Sequence, residues 1–328
     1  MEQTSIPGLP FPASRIALGT WAIGGWMWGG TDEKDAIATI HRALDLGINL
    51  VDTAPVYGFG QSEEIVGRAL EGRRDEVLIA TKVGLDWSEG RPRRNSRPER
   101  LRHELDDSLH RLRTDVIDIY QVHWPDEATA FEVTAETLDA FRRDGKIRAI
   151  GVSNFDVAQM DRFRKVAPIA TVQPPYNLFE RGAEDDVLPY AKAHGIVALT
   201  YGALCRGLLS GKIAADTTFE GDDLRNVDPK FQPDRRGAYL AAVARLDALA
   251  REKFGKSVLA LAVRWILDQG DTIALWGARR PSQLDPVPDV MGWHIDAATM
   301  AEIDRILGET IAEPLGPEFM APPRTTAT

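Results

Sequence analysis

The chain has 328 residues, a hydrophobic content of 44% and a formal net charge of −10. Such an acidic balance argues against nucleic acid or an anionic membrane as the main partner. The first residues lack a basic segment followed by an apolar one, and no apolar run approaches the ~20 residues that a membrane helix needs. Cys205 is the only cysteine, which excludes an internal disulfide and a thiolate metal cage. These features predict a cytoplasmic protein.

Short apolar runs alternate along the chain with longer amphipathic stretches. Helices are predicted over 32–46, 98–112 and 134–143, and in the first of them Ala36, Ile40 and Leu44 recur at helical spacing. The apolar runs number eight and read RIALGT, INLVDT, VLIATK, VIDIYQVH, IRAIGVS, IATVQ, GIVALT and TIALWG.

The eight runs are apolar throughout, as expected for parallel strands that are covered on both faces. Eight strand–helix units over this length favour a closed (β/α)8 TIM barrel, an α/β fold, over an open doubly wound sheet. A dinucleotide-binding open sheet would also carry G-x-G-x-x-G directly after its first strand, and GTWAIGGWMWGG lacks that spacing. No linker divides the chain, so residues 1–328 are predicted to form one domain with a core of about 15–307.

Two irregular insertions interrupt the alternation, at 86–98 after the third strand and at 212–237 after the seventh. Both are expected at the carboxyl-end rim, where barrel enzymes keep their substrate and cofactor loops. The proline-rich tail, 312–328, shows no periodicity and is predicted to run extended over the surface.

Four polar residues stand at or just beyond the ends of predicted strands. Asp52 and Tyr57 follow the second run, Lys82 ends the third and His123 ends the fourth. Because the carboxyl ends of neighbouring parallel strands meet at one rim of a barrel, these side chains are expected to converge in one pocket.

An acid, a phenol, an amine and an imidazole in one pocket suit carbonyl chemistry. An ammonium beside a phenol stabilises the phenolate, so Lys82 is predicted to lower the pKa of Tyr57 from ~10. Asp52 would hold the ammonium, and His123 would donate a hydrogen bond to the same substrate oxygen. The phenol could then pass its proton to a developing alkoxide. Because no G-x-S-x-G turn is present, a nicotinamide hydride is the natural nucleophile.

The segments that carry these four residues resemble the aldo-keto reductase family. NLVDTAPVYGFGQSEEIVGRAL, IATKVG and YQVHWPD match its Asp–Tyr segment, its lysine strand and its histidine strand, and the likeness runs over about 15–307. The resemblance implies a barrel reductase whose catalytic tetrad is Asp52, Tyr57, Lys82 and His123.

The same resemblance implies the residues that hold a nicotinamide cofactor. Ser153 and Asn154, in IGVSNF, would hold the carboxamide; Tyr201 would stack on the nicotinamide. The cation Arg206, with backbone amides from 202 to 208, would cover the pyrophosphate. The full implied set is Thr20, Trp21, Ser153, Asn154, Gln173, Tyr201, Gly202, Leu204, Arg206, Gly207, Leu208, Lys212, Gly277, Arg279 and Gln283.

GARRPSQL resembles the family's adenosine-phosphate site and bears on the choice of cofactor. Its Arg279, Arg280 and Ser282 could together hold a 2′-phosphate, which favours NADPH over NADH. The Glu-Asn pair often found a few residues later in the family is absent, because DPV follows Gln283 and Leu284.

The opening GTWAIGGWMWGG and the segment ALCRGLLSGK most resemble bacterial reductases of small aldehydes, of the L-glyceraldehyde type. A small aldehyde or a sugar-derived carbonyl is therefore the expected substrate. The residues expected around it are Trp21, Tyr57, Trp87, His123 and Trp124.

Other interpretations of these residues stay open. Asp52 and Lys82 could form a purely structural ion pair, although Tyr57 and His123 in companion positions disfavour this. The protein could be a dinucleotide-binding regulatory module with little turnover, like the channel-associated members of the family. A metal-dependent barrel isomerase or hydrolase would need carboxylates and histidines at several strand ends, and only Asp52 and His123 qualify, so no metal is predicted. Cys205 is predicted to be a neutral filler. The oligomeric state is left open.

Overall fold

Eight parallel strands follow one another around a closed cylinder in the computed structural model, which describes residues 1–324. The last strand pairs with the first to close the barrel. The predicted runs and the predicted (β/α)8 barrel are thus confirmed. The strands are β1 (Ile16–Gly19), β2 (Leu50–Asp52), β3 (Leu78–Val83), β4 (Ile117–Val122), β5 (Ile147–Ser153), β6 (Thr171–Gln173), β7 (Val197–Thr200) and β8 (Thr272–Gly277).

Helices on the outside of the barrel cover the strands. In residues 1–324, no helix is both long and apolar enough to cross a membrane. Capping side chains determine where some of these helices begin. Asp32 caps the helix that starts at Glu33, and Asp156 and Gln159 form a capping box on the helix that starts at Val157. The helices are α1 (Glu33–Asp45), α2 (Gln61–Ala69), α3 (Pro98–Leu112), α4 (Phe131–Arg143), α5 (Val157–Arg164), α6 (Val187–Ala193), α7 (Pro233–Phe254), α8 (Val258–Leu267) and α9 (Ala297–Thr310).

The amino end of the barrel is closed by apolar side chains. A short antiparallel hairpin of Gln3–Thr4 and Ala13–Ser14 lies there, and Ile6 within it packs with Leu50 and Ile119 from the barrel interior. Polar chemistry is therefore left to the carboxyl end of the strands.

The predicted irregular insertion at 86–98 is largely a β-hairpin. Leu85–Ser88 pairs antiparallel with Arg91–Arg94 through a two-residue turn at Glu89 and Gly90, which both have positive φ. Such a turn has the twist that a hairpin requires. The insertion is therefore a regular element, and the expectation of an irregular segment is wrong.

The tail does more than run over the surface. The Leu315 amide donates to the Tyr239 hydroxyl at 3.1 Å, and Lys230 Nζ donates to the Gly316 carbonyl at 3.1 Å. These bonds bring the turn at Glu318–Met320 back to the carboxyl-end rim, where the tail helps to line the main cavity. The expectation of a merely superficial tail is therefore corrected, and residues 325–328 lie outside the described residues.

Candidate active site

A cavity of about 620 Å³ opens at the carboxyl ends of the strands. Most of the residues singled out from the sequence lie on its wall, although their strands are far apart in the chain. Those on the wall are Thr20, Trp21, Asp52, Tyr57, His123, Trp124, Ser153, Asn154, Gln173, Tyr201, Gly202, Leu204, Arg206, Gly207, Lys212, Gly277, Arg279 and Gln283.

A buried ion pair lies beneath Tyr57. Lys82 Nζ donates to Asp52 Oδ2 at 2.7 Å and to the Thr53 carbonyl at 2.8 Å, and both side chains are under 5% exposed. The same ammonium lies 4.9 Å from the centroid of the Tyr57 ring. Burial lowers the pKa of Lys82, while the charge of Asp52 opposes that shift. The predicted convergence of amine and phenol is present.

The predicted direction of the Tyr57 pKa shift is wrong. Burial, in the first place, and the negative charge of Asp52, in the second, raise the pKa of Tyr57 well above its ordinary value. Lys82 directs two of its donors to Asp52 and Thr53, so the buried phenol has a carboxylate as well as an ammonium nearby. Tyr57 is therefore a protonated phenol at neutral pH.

Aromatic rings hold Tyr57 on two sides. His123 meets it edge-on with centroids 5.9 Å apart, and Trp21 stacks against it at 5.9 Å. Burial first, and the charge of Lys82 second, lower the pKa of His123 well below its ordinary value. The imidazole is therefore neutral at neutral pH and carries one N–H donor. Tyr57 and His123 keep part of their surface open to the cavity.

Amide side chains connect this group to the ends of β5, β6 and β7. Asn154, at a left-handed φ of 60°, donates to the His123 carbonyl at 3.0 Å and accepts from the Tyr201 hydroxyl at 2.9 Å. Gln173 Nε2 donates to Asp52 Oδ1 at 2.8 Å. The residues expected to hold a nicotinamide are thus bonded directly to the residues expected to carry the chemistry.

The expected role of Arg206 as a cation for the pyrophosphate stays a prediction, although its guanidinium already has acidic partners. Its guanidinium is bonded to Glu180 and Asp228 and is almost fully buried, so its charge is already compensated. It stabilises a loop in which Cys205, Arg206 and Gly207 all have positive φ. Burial raises the pKa of the Cys205 thiol to about 12, in keeping with an inert filler.

Four other expected contacts are not on the cavity wall, namely Leu208, Trp87, Arg280 and Ser282. Leu208 is fully buried in the core. Trp87 belongs to the hairpin after β3, where it packs on Phe59 at 5.7 Å and beneath Arg100 at 5.6 Å. Trp87 thus contacts both the loop after β2 and α3, and its assignment to the substrate stays a prediction.

The cavity also has wall residues that sequence reasoning missed. Arg225, within the 212–237 insertion, lies over the ring of Trp28 at 5.5 Å. The tail contributes four apolar residues, which are Phe319, Met320, Pro322 and Pro323. A basic residue in a rim insertion is a usable signal for Arg225, whereas the aperiodic tail offered none.

A clasp joins the 212–237 insertion to the loop after β1. The carboxylate of Asp222 accepts from the amides of Met27 at 2.8 Å and Gly29 at 3.2 Å, and the Leu224 amide donates to the Met27 carbonyl at 3.0 Å. Arg279 donates to the Gly30 carbonyl at 3.0 Å. These bonds close the cavity on one side.

Opening the clasp should speed the departure of whatever the cavity holds. We expect Asp222→Ala to raise the dissociation rate of a bound dinucleotide about fivefold, because two exposed charge-assisted hydrogen bonds contribute about 1 kcal/mol. Asp216→Ala, at an exposed position of the same insertion, is the matched control. Stopped-flow fluorescence measures the rate, and equal rates in the two variants would contradict a clasp.

Comparisons with known proteins agree on one family. A model of the aldo/keto reductase family matches residues 15–308. The aldo-keto reductase YhdN of Bacillus subtilis (strain 168) is 59% identical over 326 residues, which are 98% of each chain. The NADH-specific methylglyoxal reductase of Escherichia coli (strain K12) is 37% identical over 288 residues, covering 83% of this chain and 87% of the relative. The structure of the glycerol dehydrogenase AKR11B4 from Gluconobacter oxydans superimposes with a TM-score of 0.89 at 57% identity, covering 97% and 99%.

Proposed function

This chain belongs to the aldo/keto reductase family and is an NAD(P)H-dependent oxidoreductase, and we propose that it uses NADPH to reduce small aldehydes or sugar-derived carbonyls. One observation carries the proposal. The buried Asp52–Lys82 pair, Tyr57 and His123 meet at the cavity that Tyr201 also lines.

The donor set of the cavity fits a phosphorylated dinucleotide. Tyr201 offers an aromatic face beside amide side chains. The guanidinium groups of Arg225, Arg279 and Arg280 lie close together. Burial is the main cause that lowers the pKa of Arg279, and the charges of Arg280 and Arg225 lower it further. Asp223 pairs with Arg225 and offsets part of this charge. A bound phosphate group would compensate the positive charge that remains on these arginines.

Tyr57 supplies the proton in this proposal. When bound, NADPH supplies a hydride to the carbonyl carbon of the substrate. As the carbonyl oxygen gains negative charge, the phenol of Tyr57 donates its proton to it, and Lys82 stabilises the phenolate that remains. The raised pKa of Tyr57 keeps the proton in place until the oxygen becomes basic enough to take it.

The partners of Tyr57 orient the substrate and the amine. Neutral His123 donates one hydrogen bond to the carbonyl oxygen, which fixes the direction from which the carbon is reached. Asp52 keeps the ammonium of Lys82 beneath the Tyr57 ring. Neither residue needs to change its charge during the reaction.

The wall of the cavity beyond Tyr57 suits an uncharged substrate. Its side chains there are mainly apolar or aromatic and include Trp26, Val56, Leu85 and Trp124. Such surfaces accept the C–H faces of aldehydes and polyols alike.

A direct assay tests the proposal. Purified protein is mixed with NADPH or NADH, and the loss of cofactor absorbance is followed with a panel of DL-glyceraldehyde, other aldehydes, sugars and polyols. We expect turnover with small aldehydes and a higher kcat/KM for NADPH. Tight binding of NADPH without turnover on any carbonyl would favour the regulatory module.

Arg280 should contribute to the choice of cofactor. It is exposed next to Arg279, which is bonded to the carbonyls of Trp28 and Gly30. We expect Arg280→Ala to raise the KM for NADPH about tenfold and to leave the KM for NADH unchanged, since a hydrogen bond from an exposed group to a charged one lies at the lower end of ~1.5–3 kcal/mol.

Arg102→Ala, at an exposed position of α3, is the control for this substitution. The E. coli relative named as NADH-specific makes the comparison of both cofactors necessary. Equal changes for NADPH and NADH would contradict a 2′-phosphate contact by Arg280.

A further inference from the structure

Gln121 is a buried polar side chain that the chemistry above does not use. It lies on β4 two residues before His123, so the alternation of a strand places both side chains on the inner face of the barrel. It is in register with Lys82 on β3 and with Gly151 on β5. Its Nε2 donates to Asp52 Oδ1 at 3.3 Å. Gln121 therefore contacts the ion pair from inside the barrel.

The two oxygens of Asp52 have different partners. Oδ2 accepts from Lys82 at 2.7 Å, while Oδ1 accepts from Gln173 at 2.8 Å and from Gln121. Gln173 lines the cavity, but Gln121 does not. A carboxylate that is bound through both oxygens cannot turn about its Cβ–Cγ bond without losing hydrogen bonds. The two amides thus fix the plane in which Asp52 meets Lys82.

The burial of Gln121 at this position lowers the stability of the fold. Among the described residues its Oε1 is buried without a hydrogen-bond partner, as is Thr171 Oγ1. Gly151 leaves the space for it, because a Cβ there would lie 2.7 Å from Gln121 Cγ and would also meet Thr171 Oγ1. An unpartnered carbonyl and a glycine inside a strand both reduce stability. An apolar side chain of similar size would avoid the first cost, so a purely structural role does not account for a glutamine here.

We infer that Gln121 is a positioning residue for proton transfer. It holds the Asp52 carboxylate so that Lys82 stays beneath the Tyr57 ring, and it acts on the reaction through these residues without touching substrate or cofactor. The inference rests on the proposed function, in which Tyr57 donates the proton.

Gln121→Met and Gln121→Leu in the full chain test this role, because each removes the amide and fits a buried site. Thr171→Val is the matched control: it lies in the same layer of the barrel and makes no hydrogen bond to Asp52. Three quantities are measured. They are the melting temperature, the Kd for NADPH from protein fluorescence, and the single-turnover rate with DL-glyceraldehyde in H2O and in D2O.

We expect both Gln121 variants to keep or raise the melting temperature and to bind NADPH within about twofold of the wild type. The single-turnover rate should fall about tenfold, which corresponds to ~1.4 kcal/mol, and its solvent isotope effect should increase. Thr171→Val should match the wild type in rate. A structural role would instead lower the melting temperature and leave the isotope effect unchanged.

Tyr57→Phe, measured in parallel, separates this inference from the proposed function. If Tyr57→Phe is inactive while the Gln121 variants react at the wild-type rate, the inference fails and the proposed function stands. If Tyr57→Phe reacts at the wild-type rate, both fail. A slower rate in the Gln121 variants that is accompanied by a lower melting temperature and an unchanged isotope effect also overturns the inference.

Discussion

Replacing Tyr57 by phenylalanine is expected to lower the rate of carbonyl reduction by about 10²- to 10⁴-fold, the range that a general acid contributes. The loss follows because the phenol is the proposed proton donor at the cavity, and phenylalanine keeps the ring that packs against Trp21 and His123. The Kd for NADPH should stay within about twofold. Steady-state kinetics and fluorescence titration measure the two quantities.

The dependence of the wild-type reduction rate on pH is a second expected result. The pKa of Tyr57 is raised, so its proton is lost only at a pH above the ordinary tyrosine value. The pKa of His123 is lowered, so the imidazole gains a proton only at a pH below the ordinary histidine value. Reduction should therefore be independent of pH across the neutral range.

Wild-type turnover by Tyr57→Phe would exclude Tyr57 from the chemistry.

Replacing Lys82 by methionine is expected to affect both stability and activity. It leaves the carboxylate of Asp52 buried without its cation, which costs about 3–5 kcal/mol of the free energy of unfolding. It also removes the charge that stabilises the phenolate, so reduction should fall by at least about 10²-fold. Urea unfolding and steady-state kinetics measure these effects.

The double variant Asp52→Asn with Lys82→Met separates the two effects. It removes both charges, and replacing a buried pair as a whole is often close to neutral, so most of the lost stability should return. Activity should not return, because the amine is still missing. Recovery of activity along with stability would mean that Lys82 is only a structural partner of Asp52.

The sequence predicts the barrel and its strand ends because those features depend on local patterns. Each strand is an apolar run that is buried on both faces, and Asp52, Lys82 and His123 are placed by their position within or just after such a run. Parallel pairing then brings them together whatever their separation in the chain.

Features that depend on single long-range contacts could not be predicted. Arg206 is neutralised by Glu180 and Asp228, which lie more than twenty positions away and belong to no shared pattern. The tail is held by isolated hydrogen bonds, one donated by Lys230 and one accepted by Tyr239. The sequence around Arg206 and the sequence of the proline-rich tail do not indicate these partners.

The inward direction of the Gln121 side chain can be predicted from strand alternation. Gln121 precedes His123 by two residues, so the inward direction of its side chain follows from the strand itself. Its contact with Asp52 depends on the gap at Gly151 on the next strand. The direction of the Tyr57 pKa shift likewise requires the geometry, because it depends on burial and on the distances to Asp52 and Lys82.

Transfer of a labelled hydride tests the central claim most directly. Protein, DL-glyceraldehyde and NADPH with deuterium in both positions of C4 are incubated together, and the alcohol is analysed by mass spectrometry and NMR. We expect one deuterium on the former carbonyl carbon for each NADPH consumed. Alcohol without deuterium at that carbon, or no alcohol while the cofactor stays bound, would contradict the assignment of this cavity to carbonyl reduction.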